Sequence, residues 1–248
     1  MNHDRSHFAV QLEELKARLL SMGRLAEERV RVAMRALVEG DHLSLADVIS
    51  GDRRIDALQM EIDERCFILL ALQQPVAVDL RTVVSVLKIN ADVERVGDLA
   101  VNIGEASQRY LRRPPVKPLI DLPRMGELAL KMLGEALAAF VTKDAGVAKA
   151  VLAQDAWLDD LKSQIFRELL TYMLGDPRTI ESSVQLILIS RHLERVGDHA
   201  TNIAEDVIFM VEARDIRHRS VDPMARSDQG TSRRAADERR KESGTAPV

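Results

Sequence analysis

Residues 94–105 read Glu94-Arg95-Val96-Gly97-Asp98-Leu99-Ala100-Val101-Asn102-Ile103-Gly104-Glu105. Residues 194–205 read Glu194-Arg195-Val196-Gly197-Asp198-His199-Ala200-Thr201-Asn202-Ile203-Ala204-Glu205. Nine of the twelve positions are identical at a constant offset of 100. A second echo lies upstream of each copy: Asp52-x-x-x-Asp56 returns as Asp155-x-x-x-Asp159, at an offset of 103. Two echoes in the same order and at nearly the same spacing imply a duplicated unit.

Working outward, both copies sit in helical patterns. Phe8, Leu12, Leu15, Leu19, Met22, Ala26, Val30, Ala33 and Leu37 step by three or four, which predicts a first long helix ended by Gly40-Asp41. A second helix is expected over residues 44–73, and a third over 76–111, with Pro75 in its first turn. Pro114, Pro115 and Pro118 cannot continue a helix, so a linker follows. Three further helices are expected over 122–142, 145–174 and 178–214. The fold class is therefore all-α: two tandem, internally duplicated three-helix bundles. The boundaries are 1–113 for the first repeat, 114–120 for the linker, 121–217 for the second repeat and 218–248 for a disordered tail of balanced charge.

Composition agrees. Aromatic residues make up 3% of the 248, far below what sandwiches and barrels use, whereas hydrophobic residues at 46% suffice for a core. The net charge of −4 argues against a nucleic-acid binder. No apolar run is long enough to span a membrane, and residues 1–8 lack the pattern of a signal peptide. The single cysteine, Cys66, fits a small core side chain in a reducing, cytoplasmic setting. Met22, Met34, Met60, Met132 and Met173 read as core filler.

On a helix, Glu94, Asp98, Asn102 and Glu105 fall within an arc of about 80°, opposite Val93, Val96, Ala100 and Ile103. Acids four residues apart repel by roughly 0.2–0.5 kcal/mol. Gly97 and Gly197 each cost about 1 kcal/mol against alanine inside a helix, so something is expected to come close to them. If the second and third helices are antiparallel, Asp56 comes level with Glu94, about 26 Å from the turn, and Asp52 likewise comes level with Asp98. The same holds for Asp159 and Glu194 in the second half. Each half can thus gather four carboxylates: Asp52, Asp56, Glu94 and Asp98, then Asp155, Asp159, Glu194 and Asp198. Oxygen-only sets suit magnesium, manganese or iron. The competing reading is a salt-bridge network with Arg53, Arg54, Arg95, Lys162 and Arg195. His192 and His199 occur only in the second copy; a role as an extra ligand is open to either, but both read as solvated or capping residues.

The doubled Glu-Arg-Val-Gly-Asp signature resembles the PhoU family, accessory regulators of phosphate-specific transport. Residues 7–15, Met22-Gly23, residues 52–56 and residues 74–81 resemble it as well. The resemblance covers residues 3–215. It implies two similar three-helix bundles side by side and a role in restraining phosphate uptake and the phosphate-starvation response. It also implies two partners, the ATPase of the phosphate ABC transporter and a membrane-bound sensor kinase. Some members carry iron or zinc clusters, which map here onto the eight carboxylates named above. A homodimer is the default expectation for an oligomer.

The alternative is a metal-binding bundle with a storage or di-metal enzymatic role. Di-metal carboxylate bundles use Glu-x-x-His, but Gly97 and Gly197 stand three residues after Glu94 and Glu194. No Walker-type loop or Cys–His or Ser–His pairing stands out either, so no catalytic residue is assigned.

Overall fold

The computed structural model describes residues 2–51 and 53–216, with side chains from residue 7 onward. Residues 1–214 form one compact unit, and beyond it only Asp215 and Ile216 are described. The tail expected over 218–248 and the candidate ligand Asp52 lie outside the described residues.

Every described element is helical: α1 (Asn2–Glu39), α2 (His42–Ile49), α3 (Arg53–Gln73), α4 (Ala77–Leu111), α5 (Asp121–Thr142), α6 (Ala145–Gly175) and α7 (Ile180–Glu212), with a 3-10 turn at Pro177–Thr179 before α7. The second helix expected from the sequence is two helices. Gly51 takes φ +79°, a left-handed conformation that only glycine adopts without strain, and the chain turns there between α2 and α3. Asp41 starts α2 by accepting hydrogen bonds from the amides of Leu43 and Ser44 at 3.0 and 3.1 Å. Asp144 caps α6 in the same way through Gly146 and Val147.

The long helices α4 and α7 form the spine. They run antiparallel along their whole length: Arg81 meets the carbonyl of Met210, Lys88 pairs with Asp206 at 2.9 Å, and Arg109 meets Gln185. Their buried faces repeat the sequence duplication in register. Val86, Ile89, Val93, Val96, Ala100 and Ile103 are buried on α4, and the residues 100 further on, Leu186, Ile189, Leu193, Val196, Ala200 and Ile203, are buried on α7. α1, α2 and α3 pack on α4, while α5 and α6 pack on α7. α1 also packs on α5 and α4 on α7, so the two repeats share one core.

Methionine usage differs from the expectation at two positions, Met60 and the half-buried Met173. Met22 and Met132 are fully buried, but Met60 is 66% exposed on the outer face of α3. A period-3.6 pattern places it near the edge of the stripe, and no neighbouring helix covers that edge. Cys66 is buried, and burial first, then the nearby Asp63, pushes its thiol up to about 12. It is therefore an unreactive core group.

Candidate acidic site on the paired helices

The two motifs lie near the middle of α4 and α7, where α3 and α6 lean against them. What lets those helices approach is the motif glycine. A Cβ on Gly97 would stand 3.1 Å from Ile55 Cδ1, and a Cβ on Gly197 would overlap Leu158 Cδ2. Ile55 and Leu158 are 103 residues apart, the same offset that relates the aspartate pairs. So the expectation that something comes close to these glycines is met by a buried apolar side chain of the neighbouring helix. The glycines therefore do not clear space for a ligand; they set the distance at which the flanking aspartates face the motif acids.

With that spacing fixed, the described acids of each repeat bear on one another. Glu94 is held above the usual carboxylate range, first by burial, then by Asp98 and Asp56, with Arg95 acting in the opposite direction. Asp155 is raised by burial and by Asp159 and Glu194. Asp198 is raised by partial loss of water, then by Glu194, Asp155 and Asp159. Three described acids therefore face one another in the first repeat and four in the second. The glutamates are matched in burial: the Glu94 and Glu194 side chains are 20% and 22% exposed, against 56% for Asp98 and 57% for Asp159.

Positive charge is already present among them. Lys162 makes an ion pair with Glu194 and lies 3.4 Å from Asp159. Arg95 lies 3.7 Å from both Glu94 and Asp98. Among the described residues, no three acidic, histidine or cysteine groups close around a common point that could hold an ion. The donor chemistry suits a hard cation, and the acids share one face. In the second repeat, Lys162 supplies the charge that a cation would supply.

His199 departs from the solvated reading. It crosses from α7 to α4, where its Nδ1 lies 2.8 Å from Asp92 Oδ1, and Asn202 donates to the same oxygen at 3.2 Å. Only 15% of its side chain is exposed. Its ring lies near both Glu94 and Asp198, so it sits between the two motifs. The symmetry-related pair cannot form this bond, because Leu99 stands where the second copy has His199. His192, the counterpart of Asp92, keeps a buried Nδ1 with no hydrogen-bond partner among the described residues. The polar-for-apolar exchange between Leu99 and His199 within an otherwise matched motif was the sequence signal for this cross-link.

The sequence matches the family described as PhoU domain twice, over residues 19–107 and 122–207. It is 40% identical over 215 residues to the phosphate-specific transport system accessory protein PhoU homolog of Caulobacter vibrioides, covering 86% of this chain and 94% of that one. The corresponding homolog of Pseudomonas aeruginosa is 38% identical, with 88% and 90% covered. Among solved structures, PhoU from Pseudomonas aeruginosa superposes with a TM-score of 0.80 at 37% identity, over 84% of this chain and all of that one. The phosphate transport system regulatory protein PhoU from Streptococcus pneumoniae gives 0.78 at 30% identity, over 84% and 99%.

Proposed function

This chain belongs to the PhoU family, and from that premise we propose that it is a negative regulator of phosphate uptake and of the phosphate-starvation response. In this reading it is a cytoplasmic adaptor, without catalytic activity of its own, between the ATPase of the phosphate ABC transporter and a membrane-bound sensor kinase. A homodimer is its working form. The repeats keep the boundaries 1–113 and 121–217, joined through 114–120, with 218–248 as an appended tail. One observation carries the reading: two acidic motifs, matched in register and in burial, are presented by the two central helices of a fold shared with phosphate transport regulators. No described helix is long and apolar enough to cross a membrane, so contact with membrane components is assigned to protein faces.

The acidic motifs are also proposed as cation sites. Asp52, Asp56, Glu94 and Asp98 would serve in the first repeat, and Asp155, Asp159, Glu194 and Asp198 in the second. Iron, zinc, manganese and magnesium are the candidate ions. A bound ion would replace repulsion among acids with attraction and lock α3 to α4 and α6 to α7. In the second repeat, Lys162 must swing away from Glu194 first.

Deleting the gene tests the regulatory role: phosphate-regulated genes should be derepressed in phosphate-rich medium, and unchanged expression would overturn it. Elemental mass spectrometry of purified protein tests the ion sites. Stoichiometric metal that disappears in the Asp98→Ala, Asp198→Ala variant supports them, and metal-free protein in both forms removes them.

A further inference from the structure

The duplication makes each repeat a reference for the other, and one place departs from it sharply. Between α3 and α4, Asn90 Nδ2 donates to Asp63 Oδ1 at 2.9 Å and to the carbonyl of Gln59 at 3.0 Å, bridging the two helices. At the corresponding positions between α6 and α7 stand Ser190, Phe166 and Lys162. Ser190 Oγ turns instead to its own helix, bonding the carbonyl of Ile187 at 2.8 Å. The bridge is gone, and a cleft of about 590 Å³ opens there. That volume is in the range of small-molecule sites.

The charge of the place is reversed as well. Arg167 stands where the first repeat has Glu64, and Arg191 where it has Ala91, while Glu194 repeats Glu94. The first-repeat position holds three acids, Asp63, Glu64 and Glu94, and no cation. The cleft holds three cations, Lys162, Arg167 and Arg191, against one acid. Lys162 is committed to Glu194 and Asp159. The Arg167 and Arg191 side chains make no hydrogen bond or ion pair among the described residues. Beside them, Phe166 is 48% exposed, an aromatic ring next to free guanidinium groups.

We infer that this cleft binds a phosphorylated organic anion with a planar ring, of nucleotide type. Guanidinium groups match phosphate oxygens in paired hydrogen bonds, and an exposed aromatic face stacks on planar rings. Arg167 and Arg191 hold the phosphates, while Phe166 and Ile187 take the ring. Lys162 links this cleft to the acidic motif: an anion drawing on Lys162 weakens its hold on Glu194. The anion site itself stands independently of the cation reading.

Isothermal titration of the full chain with ATP in magnesium-free buffer tests this. Saturable binding is expected, weakened about tenfold or more by Arg167→Gln with Arg191→Gln, which removes the two guanidinium groups that hold the phosphates. The pair Phe166→Asp with Ser190→Asn, which rebuilds the first-repeat bridge, should abolish it. Inorganic phosphate should bind more weakly than ATP. Both arginines are exposed, so their variant should melt like the parent and separate lost binding from lost fold. Absence of saturable ATP binding, binding untouched by both variants, or phosphate binding as tightly as ATP would each overturn the proposal.

Discussion

Leu158 of α6 lies over Gly197 of α7 so closely that a methyl group on the glycine would overlap its Cδ2. Leu158 is fully buried, and Met132 Cε stands 3.6 Å from the same point, so it has little room to turn aside. Gly197→Ala gains about 1 kcal/mol of helix propensity but incurs roughly 1–3 kcal/mol of overpacking. The net expectation is a destabilisation of about 1 kcal/mol. Gly97→Ala meets only the tip of Ile55 at 3.1 Å and should be near neutral. Thermal melts of the two variants, with Leu158→Val added to relieve Gly197→Ala, check the difference. Equal melting temperatures for the two alanine variants would contradict it.

Lys162 stands between two acids, so removing it exposes their repulsion. Lys162→Gln should lower stability modestly, by about 1 kcal/mol, because the lysine is a third exposed and partly screened. If the second motif takes a cation, the same variant should bind manganese more tightly than the parent, since the competing charge is gone. Titration calorimetry with manganese reads this directly, and weaker binding in the variant would contradict it.

The proline-rich connection is fastened by Lys117, which pairs with Glu168 of α6 and with Asp121 of α5 at 3.3 Å, with only 7% of its side chain exposed. Lys117→Met leaves two carboxylates facing a covered site and should cost about 1–3 kcal/mol. Burial lowers the lysine's proton affinity, but its bonds to Glu168 and Asp121 outweigh this and hold it above the usual lysine range. The folded state thus binds the proton more tightly than the unfolded chain. Its stabilisation is present below ordinary lysine titration and is lost as pH rises through the folded value. Denaturation at pH 8 and pH 11 should show the gap between parent and variant closing at the higher pH.

Glu27 of α1 gives a pH effect within the carboxylate range. Burial raises its proton affinity, ahead of the opposing pull of Arg31 and Arg24. The folded state therefore favours the protonated acid. The stability contributed is full below ordinary glutamate titration and is lost as pH rises through the folded value. Glu27→Gln, neutral throughout, should melt slightly higher than the parent at pH 7, by about 0.5 kcal/mol, and match it near pH 4. A lower melting temperature at pH 7 would contradict the assignment.

Much of this arrangement was legible in the sequence because duplication and helical period act together. The 100-residue offset that matches the two motifs also matches the buried faces of α4 and α7. The level pairing of Asp159 with Glu194 followed from helix rise alone. Other features depend on contacts with no local signature. Gly51 breaks the second helix through one left-handed residue, which a window of apolar spacing passes over. The role of Gly97 and Gly197 depends on Ile55 and Leu158, which approach from other helices. His199 finds Asp92 only because α4 and α7 are antiparallel, a relation between repeats that neither repeat encodes alone.

If this chain restrains the phosphate-starvation response as proposed, the acidic faces of α4 and α7 should be indispensable to that restraint. The direct measurement is a phosphate-responsive reporter in phosphate-rich medium, in cells whose only copy carries Glu94→Gln, Asp98→Asn, Glu194→Gln and Asp198→Asn. Circular dichroism of the purified variant should first show helicity equal to the parent. Reporter expression as high as in the deletion is expected. Repression equal to the parent, by a folded variant present at the same level, would contradict it.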